Sequence, residues 1–284
     1  MQLGVVFPQR EIGSDPAAIR AVALGVEELG YEHVLVYEHV AGAVPPPRRR
    51  AGPYDAGVTY HEPFVLFGFL AALTRLQLVT AVLVLPQRQT VLVAKQAAEA
   101  DVLSGGRVRL GVGVGWNAVE YRALGMTFAD RGSRIEDQVV ELRKWWSHDV
   151  VPVDRAHVEL LGISPRPVQR PIPVWFGGQS TPAYRRIGRM GDGWFPQMQP
   201  GPELDQARRV VAQSAIEAGR DPDVIGMEGR LPWSPDIDRV VRGVAAWERS
   251  GATHLSVNTM GCELTGVDEH LAALAQVADA WGRS

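Results

Sequence analysis

The chain alternates between two hydrophobic periods. Short apolar runs suited to buried strands recur at 2–7, 33–37, 76–85, 105–117, 171–178, 193–195, 224–231 and 253–258. Stretches suited to helices lie between them, and their ends carry start and stop signals. Asp15-Pro16 supplies an N-cap and a first-turn proline for a helix that Gly30 terminates, and helices are predicted over 61–74, 90–103, 181–190, 202–219, 237–250 and 267–281. Between the fourth and fifth runs the alternation blurs, because 117–125 and 131–146 both read as helices. Eight strand-like runs alternating with helices favour an α/β fold: a single TIM-type (β/α)₈ barrel domain over 1–284, with an excursion between strands four and five, in preference to two doubly wound domains. No linker rich in Pro, Gly or Ser divides the chain, and no short-period repeat is present.

Composition narrows the partners. Hydrophobic residues are 46% and charged residues 21% of the chain, an ordinary balance for a globular protein. A formal net charge of −3 offers no electrostatic case for nucleic acid or a membrane surface. Cys262 is the only cysteine, which excludes an intramolecular disulfide and a cysteine-based metal cluster and fits a reducing compartment. The amino terminus reads as a first strand and not as a signal peptide, and the run over 76–85 is far shorter than the roughly 20 residues that span a bilayer. The protein is expected to be cytoplasmic.

A barrel places its active site at the carboxyl ends of its strands. The unusual polar and glycine residues fall there: Glu38-His39 after strand two, Trp116-Asn117 after strand four, Gly177-Gly178-Gln179-Ser180 after strand five, residues 194–197 after strand six and Asn258 after strand eight. Histidine is the side chain suited to proton exchange at physiological pH, so His39, with Glu38, is a candidate acid or base. His61-Glu62 reads as the first turn of the next helix. The glycines at 111, 113 and 115 either turn a corner or keep side chains away from something that approaches the backbone closely.

Gly177-Gly178-Gln179-Ser180-Thr181-Pro182 leads from a strand into a helix carrying Arg185 and Arg186. Free amides, the positive end of the helix dipole and a hydroxyl suit a phosphate; the plainer reading is a capped helix after a glycine turn. Trp116 and Trp194 are either core or stacking walls for a flat ring. Arg48, Arg49 and Arg50 lie in a proline-rich loop over the expected mouth, either solvated or gripping an anionic tail. Other chemistries lack a foothold. The glycine spacing and its place on the fourth strand do not fit a dinucleotide fingerprint, the seven histidines show no His-x-His or His-Glu-x-x-His pattern, and no Gly-x-Ser-x-Gly elbow occurs.

The segment Gly105-Gly106-Arg107-Val108-Arg109-Leu110-Gly111-Val112-Gly113-Val114-Gly115-Trp116-Asn117-Ala118-Val119-Glu120-Tyr121 resembles the signature of the luciferase-like monooxygenase superfamily, as do Trp175-Phe176-Gly177-Gly178 and Gly191-Asp192-Gly193-Trp194. Thr80-Ala81-Val82-Leu83-Val84-Leu85-Pro86 resembles that family's third strand. There the resemblance implies a bulge whose non-proline cis peptide, here Ala81–Val82, supports the bent ring of a cofactor. Members use FMN or the deazaflavin coenzyme F420, and the pattern after strands two and four is most similar to the F420-dependent oxidoreductases.

The resemblance implies His39 as proton donor or acceptor near the reactive carbon, with Glu38 beside it. It also implies a cofactor held by Thr80, Ala81, Val82, Gly113, Gly115, Asn117, Gly177, Gly178, Gln179, Ser180 and Arg185. Trp116 and Trp194 would face a small organic substrate, and a homodimer is expected. In the related F420-dependent glucose-6-phosphate dehydrogenases a catalytic glutamate follows the glycines of strand four; Trp116 stands there here, which argues against a sugar phosphate. The alternatives are an FMN-dependent monooxygenase and a non-catalytic flavin or deazaflavin carrier.

Overall fold

The computed structural model describes residues 1–42, 44, 55–152 and 159–282. Eight parallel strands close on themselves: β1 (Gln2–Val6), β2 (His33–Val36), β3 (Gln77–Thr80), β4 (Val108–Gly113), β5 (Val174–Gly177), β6 (Gly193–Phe195), β7 (Gly226–Pro232) and β8 (His254–Asn258). Each pairs with the next in sequence, and β8 returns to β1 in the register Gln2 to His254 through Val6 to Asn258. The expected barrel is therefore present.

Nine helices cover the described barrel: α1 (Pro16–Glu28), α2 (Pro63–Leu73), α3 (Thr90–Ser104), α4 (Ala118–Ala123), α5 (Arg131–Ser147), α6 (Thr181–Met190), α7 (Pro202–Glu217), α8 (Ile237–Arg249) and α9 (Gly266–Trp281). Local chemistry explains their starts. Asp15 caps α1 by accepting from Ala17 N, and Glu62 caps α2 by accepting from Val65 N, each followed by proline in the first turn. The excursion between β4 and β5 holds α4, α5 and a two-stranded hairpin of Val151–Pro152 with Leu160–Leu161, which the apolar pattern does not announce. No helix among the described residues is long and apolar enough to cross a membrane.

The third strand is where the structure departs most from an even barrel. The run over 76–85 forms β3, breaks at a cis Ala81–Val82 peptide, and resumes as the short piece Leu83–Val84. Below the break, Leu78 and Val79 pair with Val108 and Arg109; above it, Leu83 and Val84 pair with Val112 and Gly113. The glycines of β4 make this close approach possible. A Cβ on Gly111 would enter the van der Waals shell of the Thr80 carbonyl oxygen, one on Gly113 would stand 2.5 Å from Val82, and one on Gly115 would stand 2.7 Å from Val84. Gly177 on β5 closes the other side of Val82, where a Cβ would lie 2.8 Å away.

Inside the barrel, side chains stack in layers because alternate strand residues point inward. One layer is apolar: Val6, Leu35, Val79, Trp175, Phe195 and Met260, all buried. The layer toward the amino ends of the strands is polar. Glu228, fully buried, accepts from His33 Nε2 at 2.7 Å and from Ser256 Oγ at 2.5 Å, and pairs with Arg109 Nη1 at 2.7 Å. Arg109 also donates to Gln77 and lies 4.2 Å from the centre of the Trp175 ring. Burial alone would raise the Glu228 carboxyl; Arg109 and His33 instead hold it well below the usual carboxylate range. Burial and the Arg109 charge push His254 down to about 3, so it stays neutral beside this cluster.

Gly111→Ala tests the seating of the third strand. The added methyl meets backbone and not a movable side chain, so stability should fall by about 1–3 kcal/mol or more in urea unfolding. An unchanged midpoint would contradict the packing described above.

Candidate functional site

The chain after β2 is bound down on both sides of His39. Glu38, 4% exposed, accepts from Val84 N at 2.6 Å and from Arg88 Nε at 2.9 Å, with Arg88 Nη2 also in contact, and Glu62 joins Arg88 at 2.9 Å. Glu38 therefore fastens the end of β2 to the resumed third strand. Its two oxygens are committed to that anchor, which differs from the expected acid or base role.

His39 follows and is partnered from the other side of the mouth. Its Nδ1 lies 3.4 Å from Glu120 Oε2, and its ring meets Tyr60 edge-on at 4.9 Å and Trp116 at 6.3 Å. Glu120 also accepts from Val40 N at 2.6 Å and Ala41 N at 3.1 Å, so one carboxylate orients both the histidine and the loop that carries it. Burial would raise the Glu120 carboxyl, but the His39 contact and the two backbone N–H groups hold it below the usual range. Glu38, His39, Tyr60, Glu62 and Arg88 line a cavity of about 280 Å³.

Glu120 escaped the sequence reading because its partner is 81 residues away. A signal was present: Asn117 and Glu120 stand at the N-cap and third positions of α4, the capping-box spacing. Asn117 does cap, accepting from Val119 N and Glu120 N. The glutamate turns away to residues 39–41. It thus supplies a carboxylate to the mouth although Trp116, 49% exposed, occupies the place where the relatives' glutamate was expected.

The other expected residues divide. Thr80 is buried and donates to Gly111 O at 2.7 Å, so it serves the strand junction. Ala81 and Val82 are partly exposed and, like Tyr37, pack on the apolar barrel layer. Gly113, Gly115 and Gly177 make room for the third strand, the close approach to the backbone that their spacing predicts. Ser180 caps α6 through Ala183 N, and Pro182 has no N–H, so the amides of Ser180 and Thr181 are the first-turn donors left for a ligand beside the exposed Gln179. Gly178 lies on that approach.

Arg185 is exposed on α6, whereas Arg186 is buried and bonds Glu136 at 3.0 Å and Gly132 O at 2.8 Å, joining α6 to α5. Trp194 is not at the mouth. It is 2% exposed, packs in the layer between strands and helices, and meets Tyr184 edge-on at 5.9 Å, because on β6 it is Phe195 that points inward. His61 is structural, with its N–H on Gln9 and its ring facing Gly13 O. Arg48, Arg49 and Arg50 lie outside the described residues. Among the described residues no cluster of His, Cys, Asp or Glu is arranged to hold a metal.

The opposite side of the mouth holds Arg230 near the end of β7. It contacts Tyr37 Oη at 3.3 Å, Pro196 O at 3.3 Å and Gln197 Oε1 at 2.6 Å, and with Asn258 it lines a cavity of about 160 Å³. Sequence reading missed Arg230 and Tyr37; the available signal was that Glu228 and Arg230, two apart in a predicted strand, put charges on one face of it.

The model of the luciferase-like monooxygenases matches residues 1–276. The chain belongs to that family. Among relatives of this luciferase-like protein, an F420-dependent glucose-6-phosphate dehydrogenase of Gordonia bronchialis is 28% identical over 285 residues, covering 94% of this chain and 80% of the relative. An F420-dependent secondary alcohol dehydrogenase, solved with an F420-acetone adduct, superposes with a TM-score of 0.75 at 17% identity over 97% of this chain and 98% of that one. The FMN-bound oxygenating constituent of a diketocamphane monooxygenase from Pseudomonas putida superposes at 0.71 with 13% identity over 98% and 97%.

Glu120→Gln probes the oriented histidine. A carboxyl held below its ordinary value stabilises the fold above that value, about 4.3, and loses the contribution as pH falls through the lower folded value. The variant should be less stable by about 1–3 kcal/mol at pH 7, the size expected when buried N–H groups lose a charged acceptor. The gap from wild type should hold from about pH 5 upward and shrink below about pH 4. Urea midpoints measured across that range decide it; a gap independent of pH would refute the ionised contact.

Proposed function

We propose that this protein is an oxidoreductase that binds coenzyme F420 at the carboxyl-terminal mouth of its barrel and acts on a small organic substrate. The observation that carries the reading is the His39–Glu120 pair, set between Tyr60 and Trp116 at the mouth. The F420-dependent relatives named above support it.

The residues fit such a group. Ala81 and Val82 offer an apolar face for a flat ring, and the start of α6 offers amide donors for a phosphate. Bound there, a deazaflavin supplies a carbon that exchanges hydride with a substrate. The protein supplies the proton. Glu120 holds His39 at Nδ1 and fixes the loop, so that the ring keeps one orientation for proton exchange. Glu38 holds the strand end without entering the chemistry. Tyr60 and Trp116 restrict water around the ring, with Trp116 the side chain placed to select substrate.

Purified protein titrated with F420 and, separately, FMN should bind F420 at micromolar concentrations. His39→Ala should keep that binding while oxidation or reduction across a panel of small alcohols and ketones falls about 10²- to 10⁴-fold. Preference for FMN with oxygen uptake would favour the monooxygenase reading that the FMN-bound neighbour supports, and turnover unchanged by His39→Ala would remove the histidine from the mechanism.

The reading includes a homodimer. Val65 and Phe69 on α2 and Val91, Leu92 and Leu103 on α3 are exposed on neighbouring helices, an apolar surface suited to a second copy. Light scattering should give twice the chain mass for the wild type, and Phe69→Glu with Leu92→Glu should shift it to the monomer; a monomeric wild type would refute this part.

A further inference from the structure

Glu228 and Arg230 are two residues apart on β7, so both side chains point into the barrel, one above the other. The lower charge is spent: Glu228 holds His33, Arg109 and Ser256. Phe195 and Met260 lie in the apolar layer, and the carboxylate's contacts all belong to the polar layer below. Arg230 therefore receives no compensation from beneath. Its partners are Tyr37 Oη, Pro196 O and Gln197 Oε1, all neutral, and its guanidinium stands 5.9 Å from the centre of the Tyr37 ring. Among the described residues the other cation inside the barrel, Arg109, has a carboxylate; Arg230 is held in place by groups that fix its position and leave its charge.

That charge faces a small cavity at the carboxyl end of the strands. Asn258, the last residue of β8, and Tyr37, two residues before His39, line it with Arg230. A guanidinium fork oriented by neutral acceptors, with an amide beside it, matches a carboxylate in charge and in planar geometry. Tyr37 connects this place to the proton-exchange site within one turn of chain.

Building on the function proposed above, we infer that the substrate is an organic acid whose carboxylate binds Arg230, with Asn258 beside it, and that Arg230 determines specificity. The same anion chemistry exists on the tail of the cofactor, so the test separates the two sources. Sodium benzoate and benzamide, alike in shape and different in charge, are titrated by calorimetry into wild type, Arg230→Gln and Arg230→Lys, with and without F420 or FMN. Cofactor affinity is measured for each variant in parallel.

Wild type should bind benzoate at least tenfold more tightly than benzamide. Arg230→Gln should lose that preference, Arg230→Lys should keep part of it, and cofactor affinity should not change. Equal binding of the two probes, or binding of neither, overturns the inference, and this comparison on wild type needs no variant to fold. A loss of cofactor affinity in Arg230→Gln assigns the anion to the cofactor and overturns it too. Should neither F420 nor FMN bind, the proposed function fails, while the benzoate preference of the cofactor-free protein still decides the role of Arg230.

Discussion

The structure depends on how closely the third strand lies against the fourth. Thr80, Val82 and Val84 meet Gly111, Gly113 and Gly115 in step, and Val82 is enclosed from the far side by Gly177. Dense interiors tolerate little added volume, so four positions without side chains are what let the broken strand sit inside the barrel wall. From that seat the rest of the mouth follows. Ala81 and Val82 pack on the apolar barrel layer, Val84 presents the N–H that Glu38 binds, and Glu38 in turn fixes the chain that carries His39.

Charge is arranged on the same plan of depth. Toward the amino ends of the strands, opposite charges meet and are consumed, as Glu228 and Arg109 show, because an unpaired ion buried there would be costly. At the carboxyl ends, Glu120 is drawn to a histidine and two backbone amides, and Arg230 to neutral acceptors. The carboxyl end also holds a closed pair, Glu38 with Arg88. The short helix α4 supplies Glu120 and a loop supplies Gln197, so the mouth is assembled from segments far apart in sequence.

The fold was legible because its signals are local. Period, caps and prolines place most elements within a few residues, and α6 and β6 fall on their expected bounds. The candidate site was legible only in part. Glu38 and His39 were found as strand-end polar residues, yet their roles diverge, since only tertiary contact shows Glu38 bound to Arg88 and His39 to Glu120. Trp194 was misplaced by one side of a strand: sequence placed it near the mouth, and the inward turn of Phe195 sent it among the helices.

By itself the sequence determined the barrel, the strand ends at which its unusual polar residues gather, and the family resemblance, all of which rest on residues and spacings local to the chain. Tertiary structure decided which charges are neutralised, what the glycines make room for, and which carboxylate reaches the histidine. Those outcomes depend on pairs such as His39 with Glu120 and Arg230 with Tyr37, 81 and 193 residues apart, whose meeting is set by strand register and not by any local preference.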